Sequence, residues 1–508
     1  NNVIPTSRID AVGAAFVPFY PLPNKAPANA SGANNFTTNY SQVLTRDAYL
    51  VKGDYNLTDK DRLSFRYMYN SDNLDFTTVM TNIGAENRVP ALRHQNFYYG
   101  TYTRTITPTV VNEFRFTFGD RINWTRAYGI GGNWPSTLGL RGVPDDSFPT
   151  MNVAGLRTLG GSSHERRQFP IRQFQYIDNL SWILGRHSLK FGYEFRRSIN
   201  YEINRPSVSG SFGFNPLTTG NPGTNGTGFG LASLLVGAPL SFSTRETQIL
   251  DRYSDYISWF AQDEWNVSQT LTLNLGVRWE TDTPITDKNN RMNGFDPTAI
   301  NPVSGTPGVV KFMGVDGFRT RPYETDMNNF GPRLGFAWRP LGSEKTVIRG
   351  GIGAFFAHPF DAGAPTAASL GFENSAAINS PDNGTTIPFF LRDGVPPFTL
   401  AAPVLDDNFG AVRFGTNPNT AVTFFEPNRR TGYSIQWNFT VQRQLPGNMM
   451  VEAAYLANAS RKLPSANMGI NQVLPQNLTP TSRQTDRPYA QFSNVTINLP
   501  SLGVSNYH

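Results

Sequence analysis

Residues Asn328–Phe356 read NNFGPRLGFAWRPLGSEKTVIRGGIGAFF. In the first arm Phe330, Leu334, Phe336 and Trp338 share one parity, and Arg333, Gly335, Ala337 and Arg339 share the other. Successive side chains of a strand point to opposite faces, so this arm has one apolar face and one that is charged or small. Pro340-Leu341-Gly342-Ser343-Glu344-Lys345 turns the chain. The return arm puts Ile348, Ile352 and Phe356 on one face, and Arg349, Gly351 and Gly353 on the other. Each arm is about ten residues long, the length a tilted strand needs to cross a bilayer.

The same unit recurs along the chain. Alternation predicts antiparallel hairpins at about 45–72, 93–122, 172–200, 252–281, 328–357 and 432–458. The clearest arm sets Leu189, Phe191, Tyr193 and Phe195 against Lys190, Gly192, Glu194 and Arg196. In the arm YISWFAQDEW, aromatics occupy both parities and its facing stays open. About twelve strands alternate between turns of a few residues and loops of roughly 20–70, a one-sided asymmetry found in outer-membrane barrels and foreign to sandwiches and propellers. The fold expected is an all-β, antiparallel up-and-down transmembrane β-barrel. Residues 1–44 form an extracellular loop segment with a short helix in Asp10–Tyr20. Residues 45–458 carry the strands, and 459–508 are loop leading to further strands. A second short helix fits Gly230–Gly237.

Composition agrees. Of 508 residues, 39% are hydrophobic, 16% charged and 13% aromatic. Eight of the 44 basic residues are lysine and the rest arginine, whose planar fork suits ion-pair networks better than a solvated coat. The net charge of +6 is spread along the chain without a basic run, which argues against a nucleic-acid partner. Cysteine is absent, so disulfides and thiolate metal sites are excluded. No run approaches the ~18 apolar residues of a membrane helix. Mean hydropathy is negative, as it must be when half of each strand is polar.

The alternation assigns Leu63, Phe65, Phe116, Leu189, Phe191, Leu273, Leu275, Phe336, Ile435 and Trp437 to a lipid face. It assigns Arg66, Arg115, Lys190, Glu194, Arg278, Arg333 and Arg349 to the lumen. The five histidines (His94, His164, His187, His358, His508) show no metal spacing and read as solvated residues. Glu113/Arg115, Glu194/Arg196 and Arg278/Glu280 read as ion ladders on a barrel wall rather than as hydrolytic carboxylate pairs. Gly129–Gly132 and Gly350–Gly353 lack the form of a nucleotide-binding loop; Gly351 and Gly353 leave room on the inner wall for a plug or a neighbouring side chain. No catalytic, cofactor or metal site is expected. The loop aromatics Trp124, Trp134, Phe148, Phe212, Phe214, Phe389, Phe390, Phe398, Phe424 and Phe425 are the candidate ligand contacts, against the alternative that they pack the loops together.

Several segments resemble TonB-dependent outer-membrane receptors, nearest their Oar-like branch: QYIDNLSWILGRHSLKFGYEFR (175–196), FAQDEWNVSQTLTLNLGVRWE (260–280), the opening hairpin, YSIQWNFTVQRQLPGNMMVEAAYLA (433–457) and NVIPTSRIDAVGAAFVPFYPLPN (2–24). The resemblance implies a 22-strand barrel in the bacterial outer membrane, closed by a plug whose TonB box engages the TonB complex. It implies energy-coupled uptake or export of a large substrate, with outer-membrane lipid and lipopolysaccharide around the wall. Residues 1–508 show no plug, TonB box or closing strand, so the chain is expected to be a middle piece of such a barrel. Its sheet would then be open, with edges at about Thr45–Asn56 and Gly447–Asn458. The other reading is a surface, adhesion or structural protein acting through its loops without transport.

Overall fold

A computed structural model describes the chain except for residues 1–2, 30–31, 40, 42, 76–79, 81, 85–90, 128, 162–165, 222–223, 225, 248, 341–344, 358–369, 383, 499 and 508. His164, His358, His508 and most of the turn at 341–344 lie outside the described residues.

One antiparallel sheet carries the architecture. Its strands are β1 (Val43–Asn56), β2 (Asp61–Asp75), β3 (Ala91–Thr107), β4 (Val110–Arg126), β5 (Arg166–Leu184), β6 (His187–Arg205), β7 (Leu250–Asn266), β8 (Leu271–Asp282), β9 (Phe330–Trp338), β10 (Thr346–Ala357), β11 (Gly432–Leu445), β12 (Met449–Leu463) and β13 (Gly503–Tyr507). Each pairs with the next in chain order, and a two-residue strand at Thr286–Asp287 adds to β7. All six expected hairpins are present. Five run further toward the long loops than expected, because the ladder continues through polar residues such as Gln168, Tyr201 and Asn204 where alternation fades. Among the described residues no helix is long and apolar enough to cross a membrane.

Register fixes which side chains share a face. Leu63 pairs with Tyr102 and Phe65 with Gly100; these pair with Phe114 and Phe116. Phe116 opposes Tyr176, Tyr176 opposes Phe195, and Phe195 opposes Ile257. Further on, Leu275 opposes Leu334, Leu334 opposes Ile352, and Ile352 opposes Trp437. All ten residues assigned to the apolar face therefore lie on one side of the wall, and the seven assigned charges lie on the other. The register also settles YISWFAQDEW. Ile257, Trp259 and Trp265 join the apolar face through Trp279 and Leu273. Tyr256 and Phe260 join the charged face. The Phe260 ring fills the space above Gly192, where a Cβ would lie 2.2 Å from it.

Two expectations need correction. Residues 459–508 are not all loop: β12 reaches Leu463, and β13 pairs with its last turn at Asn458–Tyr507, Ala459–Asn506 and Ser460–Ser505. GVSNY is too short to show a period, and the ladder shifts register between Ser460 and Leu463, so alternation could not reveal it. The sheet thus has thirteen strands along its path rather than twelve. The sheet is open, as expected. Among the described residues β1 pairs only with β2, and no ladder joins it to β12 or β13. The second edge is shared between β13 and the Met449–Ala457 part of β12.

The short connections use turn chemistry. Gly185, with φ of +60°, leads the two-residue link between β5 and β6, and Gly447 (+77°) and Asn448 (+57°) turn β11 into β12. A side chain in left-handed backbone costs roughly 1–2 kcal/mol. Gly185→Val should therefore lower the denaturant midpoint of refolding in micelles by an amount equal to roughly 1–2 kcal/mol, whereas Gly53→Ala, in open space on a strand, should cost less than roughly half of that. The open edge carries its own expectation. Amides of β1 that point away from β2 should exchange with solvent far faster than those of β5 and β6; equal protection would mean the edge is covered.

Candidate functional site

The charged face holds a cluster built from four neighbouring strands. Arg278 of β8 donates from Nη2 to the Tyr256 hydroxyl and to Ser258 Oγ, both at 2.7 Å, and from Nε to Glu280 at 3.0 Å. It reaches Glu194 of β6 at 3.4 Å. Tyr256 donates to Glu280 at 2.7 Å, and Gln175 of β5 donates to Glu194 at 2.7 Å. The Arg196 guanidinium lies 4.6 Å over the Tyr256 ring. One arginine thus serves two carboxylates and two hydroxyls, an arrangement its five donors permit and a lysine could not match. Sequence reasoning named Glu194 and Arg278 but missed Tyr256, Ser258 and Gln175, which carry no alternation signal until the register is known.

The other assigned charges are also engaged on this face. Arg115 Nε donates to Glu113 at 2.6 Å. Arg66 stacks 4.2 Å over Tyr99, and Arg333 lies 4.7 Å over Phe355. Gly353 leaves room for the Phe355 ring and the Arg333 stem at 3.1–3.3 Å from where its Cβ would be. Lys190 and Arg349 occupy the same face by register. Together they make a polar wall on which Arg115, Arg278 and Glu194 are held in ion pairs and Arg66 and Arg333 lie over aromatic rings.

The long connections fold into two bodies with cores of their own. In the first, strands Thr150–Val153 and Ser211–Phe214 run parallel; Ser211–Gly213 pairs with Ser241–Ser243, and Ser241–Thr247 with Glu373–Asn379. The N-terminal segment is part of this body. The Asp10 side chain caps helix α1 (Ala11–Phe16), accepting from the Val12 and Gly13 amides at 2.9 and 3.1 Å, and its other oxygen accepts from the Arg392 amide at 3.1 Å. Phe16, Phe148, Phe212, Phe214, Phe242 and Leu391 fill the core. Burial beside them pushes the Tyr20 phenol well above its ordinary pKa. The second body joins Asn293–Ile300 to Pro307–Phe312 and Val422–Phe425, in parallel, to Val495–Asn498. Phe295, Phe312, Phe424 and Phe492 form its core.

These cores decide where the candidate ligand contacts lie. Phe148, Phe212, Phe214 and Phe389 are buried in the first core, with Trp134 and Phe398 packed on it. Phe424 is buried in the second core, and Phe425 beside it against Tyr323, ring centres 5.8 Å apart. Phe390 lies beneath the Arg392 guanidinium at 4.3 Å. Trp124 is not on a loop but near the end of β4, 44% exposed. Eight of the ten therefore pack loop against loop, which the sequence allowed as the alternative. Among the described residues no group of three or more His, Asp or Glu could hold a metal ion.

No curated protein matches the chain. Solved structures do. The outer membrane transporter YddB from Escherichia coli is 12% identical with a TM-score of 0.50, over 90% of this chain and 43% of YddB. A mutant of the ferric enterobactin receptor PfeA from Pseudomonas aeruginosa is 12% identical with a TM-score of 0.42, over 95% and 52%. The alcaligin outer membrane receptor FauA from Bordetella pertussis is 10% identical with a TM-score of 0.42, over 91% and 48%. The chain spans about half the length of these proteins. At such identities the likeness concerns the fold. Residues 1–508 match the outer membrane beta barrel domain family over their whole length, and the chain belongs to that family, which places it in the bacterial outer membrane.

Proposed function

We propose that this chain is a large part of the wall, with the extracellular loops, of a TonB-dependent transporter of the Oar-like branch. Such a transporter moves a large substrate across the outer membrane by energy taken from the TonB complex. The observation that carries the reading is the two-sidedness of one continuous wall: a predominantly apolar face backed by a face that carries all seven assigned charges. The ten apolar residues then meet lipid, and Arg66, Arg115, Lys190, Glu194, Arg278, Arg333 and Arg349 line a lumen large enough for a plug. The two folded loop bodies stand at the extracellular mouth. Their surfaces, rather than the buried aromatics, meet the substrate, and Phe390 and Trp124 remain the candidate contacts among the ten.

A plug and its TonB box belong to the reading as parts of the whole protein, and the resemblance of 175–196, 260–280 and 433–457 supports them. A surface or adhesion role is the second reading, favoured by the loop bodies, each of which has its own hydrophobic core.

The facing has a direct test. Arginine at mid-membrane on the lipid side costs roughly 2–4 kcal/mol. Phe191→Arg should impair folding of the full-length protein into vesicles by that amount, while its neighbour Lys190→Gln should fold close to wild type; equal damage would count against the assignment. Transport is tested in cells. Deleting the full-length gene and disabling the TonB complex should give the same growth defect on the transported nutrient. Loss of attachment to surfaces, indifferent to TonB, would instead support the adhesion reading.

A further inference from the structure

At the long-loop end the apolar face changes character. Its aromatic rows end with Tyr98, Phe118 and Phe174, whose rings stand 6.0 and 4.9 Å apart in succession. The next row along the ladder is Asn96, Asp120, Arg172, Ile199 and Tyr253. Here a groove of about 760 Å³ opens across β4, β5, β6 and β7. Ile122, Pro170 and Ile199 form an apolar stretch within it, and Arg172, Lys288 and Tyr253 stand among the polar groups around them. Lys288 is brought there by the strand Thr286–Asp287, which lies on β7 and donates the Lys288 amide to the Asp251 carbonyl at 2.8 Å.

The groove contains carboxylates as well as cations, so their placement decides its sign. Arg172 Nε donates to Asp120 at 3.2 Å, and the Arg172 side chain is 58% exposed where Asp120 is 20%. Arg197 donates twice to Asp255, at 2.7 Å each, and is 45% exposed where Asp255 is 16%. In both pairs the carboxylate is tucked against the wall and the guanidinium turned outward. Asp251 is half-buried and Lys288 exposed. The surface offered to an approaching ligand is therefore cationic, above an apolar floor continuous with the apolar face. Guanidinium donors left over by a single carboxylate suit phosphate oxygens, and the tyrosines here suit an interface between hydrocarbon and water.

We infer that this groove is a binding site for a phosphorylated lipid of the outer leaflet: Arg172 and Lys288, with Arg197 beside them, take the headgroup phosphate, and an acyl chain lies over Ile122, Pro170 and Ile199. The inference rests on the apolar face meeting lipid. It makes a particular lipid a fixed part of the wall next to the loop bodies, since Lys288 begins the connection that leads into the second of them.

The experiment uses the full-length protein, extracted from outer membranes and stripped of lipid, with lipid A as probe. Binding is read by native mass spectrometry against lipid A with both phosphates removed, and with inorganic phosphate as competitor. Wild type and Lys190→Gln should retain phosphorylated lipid A. The double variant Arg172→Gln/Lys288→Gln should bind it at least tenfold more weakly, as should Ile199→Asn, and wild type should bind the dephosphorylated form as weakly as the double variant binds the intact one. Equal retention by the double variant, equal binding of the dephosphorylated lipid, or displacement by inorganic phosphate at matched concentration would each overturn the site. The facing is checked separately with Phe195→Cys, residues 1–508 having no cysteine of their own, in a full-length background with any cysteine outside them replaced by serine. If a membrane-soluble quencher fails to reach a label there, the facing falls and this site with it. If the quencher reaches the label and lipid A still does not bind, this site alone falls.

Discussion

The constraint on which everything else rests is the unbroken register of the wall. From β1 to β12 each strand is held by backbone hydrogen bonds to the next, and a slip of one residue anywhere would turn every later side chain to the opposite face. In hydrocarbon this is decisive, because an unpaired backbone group or a misplaced arginine has no water to compensate it. The register holds from Leu63 through Tyr102, Phe114, Tyr193, Trp259 and Trp279 to Phe330 without an apolar residue being lost to the other face, Asp178 being the one polar member of that row. Asp178 accepts a hydrogen bond from Asn112 at 2.5 Å, so even this carboxylate on the apolar face has a partner on the adjacent strand.

The same constraint explains what was legible in the sequence. Period-two alternation is a local signal, and it identified six hairpins and sorted seventeen named residues onto two faces because each face meets a uniform environment. It failed where that uniformity ends. In YISWFAQDEW the aromatic on the charged face, Phe260, is there to fill the space over Gly192, a pairing across strands that no single strand can announce. The thirteenth strand was missed because five residues with a shifted register carry no period. The loops were least legible. Their strands are short, two of their pairings are parallel, and partners lie far apart in sequence, as Val422 does from Val495. The loop phenylalanines stand out in the sequence, but what they pack against depends on contacts such as Phe16 with Phe148, ring centres 5.8 Å apart, that join segments well over a hundred residues distant.

Wall and loops are bound by charge as well as by chain. Asp326, just before β9, accepts from Arg430 at 3.0 Å and from the Thr431 amide at 2.8 Å, where β11 begins. Its carbonyl accepts from Thr281 at 2.8 Å, at the end of β8, and from Asn329 at 3.0 Å. Asp326 is buried while Arg430 remains half in solvent. A buried carboxylate with several donors is costly to strip of them, so one residue fixes the spacing of three strand ends at the base of the second loop body. Asp10 does similar work in the first body, where it ties the N-terminal segment to Arg392 and packs against Gly237.

The consequence concerns motion. Loops that merely cover a barrel mouth could shift with little resistance, since their stability would lie at the low end of the molecule's range. These cannot. Each body has a buried aromatic core, and the second is anchored to the strand ends through a buried charge. Any rearrangement of the loops must therefore move each body as a unit, hinging at segments between cores, or else expose Phe295 or Phe212 to water at a cost of a few kcal/mol for each ring. The first alternative is far cheaper. It confines flexibility to the linkers, and it makes the strand ends near Asp326 the place where a change in the loops is felt by the wall.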